Sequence, residues 1–189
     1  MKNVKLTIII PFLAMTFFAN SKVVVFRTFE DFQNNKGEEY DDYHGYFHTG
    51  GSVKLVFKKS GKKTRIHCKE MWGFNYGDAL FRIDKKHSQP TRVMNAGKII
   101  YYENGIAHLS MIRDNSQSGS FSIGYYCYVS KNINSEMIPM PVRLISDARK
   151  RIKEFTEENP EYKNLFDCIE KNYNYFNVRP CVVAFEESN

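Results

Sequence analysis

Between residues 53 and 68 apolar and polar positions alternate. Val53, Leu55 and Phe57 point one way and Lys54 and Lys58 the other; Thr64, Ile66 and Cys68 then alternate with Arg65 and His67. A period of two describes a strand with one dry and one wet face. Ser60-Gly61 supplies a turn between the two runs, so the segment predicts a hairpin. Phe74 to Ile83 predicts a second hairpin, turning at Gly77-Asp78. Lys98 to Tyr102 and Ile106 to Arg113 flank Asn104-Gly105, a dipeptide that accepts positive φ at both positions, and predict a third. Phe121, Ile123, Tyr125, Cys127 and Val129 mark a long core-facing strand, and Val23 to Phe26 a short first one.

Thr28 can cap a short helix over Phe29 to Asn34, with Glu30 and Asp31 near its positive end. Glu38 to Gly51 is polar, rich in tyrosine and broken by glycines, and reads as a loop. After Pro141 the period becomes helical. Leu144, Ile145, Ala148, Ile152 and Phe155 form one stripe, with Arg149, Lys150 and Lys153 outside it. Asn159-Pro160 restarts a helix whose apolar face is Tyr162, Leu165, Phe166 and Ile169. Val178 to Phe185 is compatible with a short helix or a strand. Strands come first and helices last. That order predicts an α+β fold: an antiparallel, hairpin-built sheet, able to curl into a half-barrel, with two or three C-terminal helices packed on it.

The chain has 189 residues. It opens on Lys2 and Lys5, an apolar run from Leu6 to Phe18, and the small-residue triplet Ala19-Asn20-Ser21. This is the three-part pattern of a secretory signal peptide. The apolar run is shorter than the roughly 20 residues a spanning helix needs. Residues 1–21 are therefore expected to be a signal peptide and 22–189 one domain, secreted or periplasmic, with no transmembrane segment in the mature part. Removing 1–21 lowers the formal charge from +6 to +4, because the segment holds two lysines and no acid. The basic clusters are Lys58 to Lys63, a hairpin tip, and Arg149 to Arg151, the wet face of a helix; both read as solvated surface. Nucleic acid is not an expected partner.

Cys68, Cys127, Cys168 and Cys181 all lie after the signal segment. An even number in an exported chain permits disulfides. Proximity along the chain favours Cys168 with Cys181, leaving Cys68 with Cys127; buried free thiols are the alternative.

Motifs for catalysis are weak. His44 and His48 are the best metal candidates, but they sit in a glycine-flanked segment with no placed acidic third ligand, so no metal is assigned. His67 and Cys68 are adjacent, and neighbouring strand residues face opposite ways. No Gly-x-Ser-x-Gly elbow is present, and Ser118-Gly119-Ser120 lacks the ending of a phosphate loop, so no cofactor is expected. Aromatic residues are abundant, 15 Phe and 12 Tyr. Tyr40, Tyr43, Tyr46 and Phe47 cluster in the segment read as a loop, where a fold has no need to bury them. They are the leading candidates for a contact surface, with Trp72 a further one despite its place in a hairpin core.

Thr28-Phe29-Glu30-Asp31-Phe32 with Asn35, Met71-Trp72-Gly73-Phe74 through Phe81-Arg82, and Phe166-x-Cys168-Ile169 together resemble uncharacterised exported proteins of Bacteroidota-type bacteria. The resemblance implies an envelope location and carries no activity with it. The expectation is an exported, non-catalytic binding protein whose partner is an envelope protein or an extracellular ligand. The alternatives are a hydrolase with a site assembled from distant residues and a small hydrophobe carrier.

Overall fold

Strand β1 (Val23–Phe26) enters a sheet between two later strands, β2 (Glu38–Tyr40) and β6 (Gly73–Tyr76), antiparallel to both. In the computed structural model, which describes residues 22–49, 52–114, 126–140, 146–171 and 175–188, this sheet has eight strands in the order β11-β10-β9-β8-β7-β6-β1-β2. The others are β7 (Ala79–Asp84), β8 (Gln89–Ala96), β9 (Ile100–Asn104), β10 (Tyr128–Ser130) and β11 (Ile138–Pro139). A second sheet of three strands, β3 (Asp42–Thr49), β4 (Ser52–Lys59) and β5 (Lys62–His67), is a meander. The helices are α1 (Phe29–Gln33), α2 (Gly105–Asp114), α3 (Ser146–Glu158), α4 (Lys163–Lys171) and α5 (Tyr175–Glu187). The fold is α+β, with three helices at the C-terminal end. The large sheet is open, with β11 and β2 at its edges.

The first hairpin forms where the alternation predicts it, but Val56 is buried, Thr64 is exposed, and the strand ends at His67, with Cys68 opening a 3-10 turn. Ser60 (φ 49°) and Gly61 (φ 76°) make the turn between β4 and β5, and Val53, Leu55, Phe57 and Ile66 are buried on one face. The second forms between β6 and β7 with Gly77 at φ 56°. Gly73 is required there: a Cβ on it would stand 2.5 Å from the carbonyl oxygen of Phe81. Thr28 caps α1, its Oγ1 accepting from the Asp31 N–H at 3.0 Å while Asp31 Oδ2 accepts from the Thr28 N–H at 2.9 Å.

The third predicted hairpin does not form. Lys98 to Tyr102 runs into strand β9 as expected, but Ile106 to Arg113 lies in helix α2. Asn104 explains the switch. Its Oδ1 accepts from the backbone N–H groups of Ile106 (3.1 Å) and Ala107 (3.3 Å), so it caps a helix and does not bend a hairpin. Leu109 is then buried, with Ile106 and Ile112 packed beside it at helical spacing. The segment read as a loop is also different. Glu38 to Thr49 forms β2 and β3 because Tyr40 and Tyr43 fill the core between the two sheets, 6% and 1% exposed. Val178 to Phe185 is helical within α5, Pro180 included. Of the long strand expected from Phe121, only the end is described, where Cys127 and Val129 are buried; the signal segment, Phe121, Ile123, Tyr125, Leu144 and Ile145 lie outside the described residues.

Each face of the large sheet has its own cover. On the front, β3–β5 and α2 pack over Val23, Val25, Phe74, Tyr76, Phe81 and Ile83. Further along the same face, α3, α4 and α5 pack over Tyr101 and Val129. On the back, α1 brings Phe29 and Phe32 against Trp72, and the chain around Met137 covers Tyr102 and Tyr128.

Cys168 and Cys181 are bonded and tie α4 to α5. Cys68 and Cys127 are free and buried, which corrects the pairing expected for them by elimination. Cys68 belongs to the core under β3–β5 and Cys127 to the core under the C-terminal helices, so separate packing units hold them. Burial pushes both thiols up to about 12.

Candidate functional site

The exposed face of the β3–β5 sheet is unusually cationic. Register aligns Phe47 with Lys54 and His67, Gly45 with Val56 and Arg65, and Lys58 with Lys63. Paired residues share a face, so Phe47, Lys54, Lys58, Lys63, Arg65 and His67 stand together on the side away from Leu55 and Phe57. Lys58 faces Lys63 directly, and at the hairpin tip Lys59 faces Lys62. Like charges in opposed positions of an antiparallel pair destabilise it.

Lys54, Lys58, Lys59, Lys62, Lys63 and Arg65 take part in no ion pair with a described residue, although the register sets Asp42 opposite Lys58 and Glu38 feels the charge of Lys59. Asp41 and Asp42 make their hydrogen bonds to other groups. Asp41 accepts from the Ser60 N–H at 2.6 Å, and Asp42 from the Tyr76 hydroxyl at 3.0 Å. The surplus positive field registers on His44, held below its ordinary range by desolvation first and then by Lys63, Lys58 and Arg113.

Phe47 is the aromatic member of this face, 49% exposed, with the Arg65 guanidinium 4.9 Å from its ring centroid. Tyr46, its neighbour, points to the other side of the strand, 37% exposed, and stacks edge-on against His48 at 5.4 Å. Of the aromatic candidates, then, Phe47 and Tyr46 reach solvent, whereas Tyr40 and Tyr43 are core. Trp72 is 6% exposed and lies on the far side of the molecule, stacked on Phe32 at 4.5 Å. The structure does not bring the five together.

The histidines do not converge either. In an extended strand, residues four apart are about 13 Å apart, so His44 and His48 cannot share an ion as strand β3 stands. Among the described residues there is no group of three or more His, Cys, Asp and Glu that could hold a metal.

Two polar constellations were not visible in the sequence, because each needs a partner brought in from elsewhere in the chain: His67 for Ser52, and Arg179 for Glu103. Ser52 Oγ is 2.8 Å from His67 Nε2. His67 Nδ1 accepts from the Lys69 N–H at 3.3 Å, which places the ring proton on Nε2 and leaves no lone pair there to take the serine proton. The second centres on Glu103, 1% exposed. It accepts from the Tyr101 hydroxyl (2.9 Å), from His108 Nε2 (2.9 Å), and from Arg179 Nε (2.8 Å) and Nη2 (2.7 Å). His108 Nδ1 in turn accepts from Arg92 at 3.0 Å. Burial opposes the charge on Glu103, but the donors prevail and hold its pKa near 2. Every lone pair of His108 is committed. This is a joint between β8, β9, α2 and α5, suited to holding them in place and not to moving protons.

Comparison of the chain with protein-family profiles, curated proteins and solved structures found no match.

Proposed function

We propose that this is an exported, non-catalytic binding protein of the bacterial envelope, and that it meets a polyanionic extracellular partner, such as an acidic polysaccharide, on the β3–β5 face. The observation that carries the reading is the Lys58–Lys63 opposition, on a face that also carries Lys54 and Arg65 and where none of these cations forms an ion pair with a described residue. A hairpin under no demand to attract anions would gain stability from an acid at either position. Phe47 adds a half-exposed ring beside the cations, able to stack on a sugar ring while ammonium and guanidinium groups meet carboxylates or sulfates. Export is supported by the signal-like N-terminus and by the Cys168–Cys181 disulfide, which suits an oxidising compartment. No helix among the described residues is long and apolar enough to cross a membrane.

The reading predicts saturable, salt-sensitive binding of a sulfated or carboxylated polysaccharide. Phe47→Ser should weaken it several-fold at unchanged melting temperature, since truncating a half-exposed ring removes contact area and little core. Binding that survives the loss of both Phe47 and Lys54 would refute the proposal.

A further inference from the structure

The back of the large sheet holds a buried cation that forms no ion pair with a described residue. Arg82 of β7 is 8% exposed. Its Nη1 donates to the Tyr102 hydroxyl (3.1 Å) and its Nη2 to the Asn134 carbonyl (3.2 Å). The rings of Trp72 and Tyr102 lie 6.0 and 5.9 Å from the guanidinium carbon. Every one of these partners is neutral, and Arg82 forms no ion pair with a described residue. Its Nε–H is buried and meets no acceptor. A guanidinium does not give up its proton in a protein. Burying one without a counter-charge therefore carries a large desolvation cost, which hydrogen bonds to neutral groups offset only in part.

Arg82 also lines a cleft of about 390 Å³ between the β7–β8 turn and the chain at Asn134 to Met137. The acids in its walls are spoken for. Asp84 Oδ2 pairs with His87 Nδ1 at 2.5 Å and its Oδ1 accepts from the Lys86 N–H at 3.0 Å; Glu136 pairs with Arg151. The cations are less so. Lys85 Nζ meets only the backbone carbonyls of Lys69 (3.1 Å) and Met71 (2.6 Å), and Lys86 is exposed with no ion pair among the described residues. A cleft with a buried unpaired guanidinium and two lysines, against one hydrogen-bonded Asp84 and a Glu136 already paired with Arg151, is short of negative charge.

We propose that this cleft binds a small oxyanion, a carboxylate or phosphate group, which Arg82 neutralises from the buried side and Lys86 from the exposed side. Guanidinium meets both kinds of group with paired N–H donors, and Arg82 has N–H groups to spare. The ligand class is independent of the polyanion on the β3–β5 face, which is built from other strands.

The test uses the full chain and two probes, inorganic phosphate and succinate, with sodium chloride at matched ionic strength as the control. The readout is the arginine Nε–H region of a ¹H–¹⁵N spectrum, in which Arg82→Lys identifies the Arg82 signal, together with the melting temperature. At least one oxyanion should shift that signal saturably and raise the melting temperature, and chloride should do neither. Lys86→Gln, at an exposed position that leaves the fold intact, should weaken binding by about tenfold, the loss of one charge-assisted contact. Phosphate binding alone would identify a phosphate group, and succinate binding alone a carboxylate. If neither anion moves the signal beyond chloride, or if Lys86→Gln binds like the parent, the proposal is overturned.

Discussion

The Arg179 guanidinium of α5 grips the Glu103 carboxylate of β9 by both oxygens, at 2.8 and 2.7 Å, across 76 positions of sequence. This contact fastens the last helix to the sheet. From the other side the same carboxylate takes His108 of α2, so one buried charge connects the core under the C-terminal helices with the core under β3–β5.

The grip makes stability acid-sensitive. Glu103 has a folded pKa of about 2 against an ordinary 4.5. A carboxylate depressed in this way contributes stability that is whole above its unfolded value and is lost as pH falls through the folded one. Between pH 4.5 and pH 2 the loss from this group should be roughly 3 kcal/mol. Glu103→Gln should be less stable than the parent at pH 7 and should lose this part of the acid dependence. Urea unfolding at pH 7 and pH 3 checks both, and a parallel pH dependence in the two proteins would contradict the assignment.

The Cys168–Cys181 bridge closes a loop of 13 positions. Chain entropy makes such a crosslink worth about 3 kcal/mol, so reduction should lower the melting temperature by roughly 6–12 °C. Cys68 and Cys127, buried with thiols held at about 12, should resist thiol reagents in the folded protein and react on unfolding. Non-reducing peptide mapping should find the 168–181 crosslink alone.

Asn104 is the residue on which the fate of 105–114 turns. Asn104→Ala removes the acceptor for two N–H groups at the start of α2 and should cost about 1 kcal/mol. Asn104→Asp keeps an acceptor beside the positive end of the helix and should be nearly neutral. Chemical denaturation of the two variants measures the difference.

Asn104 also shows where sequence reading stops. Asn-Gly is a hairpin signal when strands flank it, and the apolar spacing of Ile106, Ala107 and Leu109 fits a strand edge nearly as well as a helix. Burial against β8 and β3 decides the matter, and that is a tertiary fact. The same holds at Tyr40 and Tyr43. Their segment lacks a period because two strands meet at Asp41 and a bulge at Tyr43–Gly45 breaks the alternation, so buried rings look like loose ones. The hairpins β4–β5 and β6–β7 were legible from their apolar residues and turn signals, although Val56 is buried against the alternation and Thr64 is exposed against it. Strand β8 was not: Pro90 near its start and the bulge between Val93 and Asn95 hide its alternation. Of the candidate surface, Phe47 and the Lys58–Lys63 cluster were visible as residues. Their sharing one face needed the register of β3, β4 and β5. Arg82 and Glu103 could not have been found, because what distinguishes them is the partners they meet or lack 20 to 76 positions away.

If the β3–β5 face gives up stability to attract a polyanion, as proposed, Lys63→Glu should reverse the trade. This change sets a carboxylate opposite Lys58 and removes a like-charge pair, so unfolding free energy should rise by about 0.5 kcal/mol. Affinity for an acidic polysaccharide at low salt should fall by at least about tenfold, with a shallower dependence on salt. Stability and binding moving in opposite directions is the predicted result. A variant that is more stable and binds as well as the parent would contradict the account.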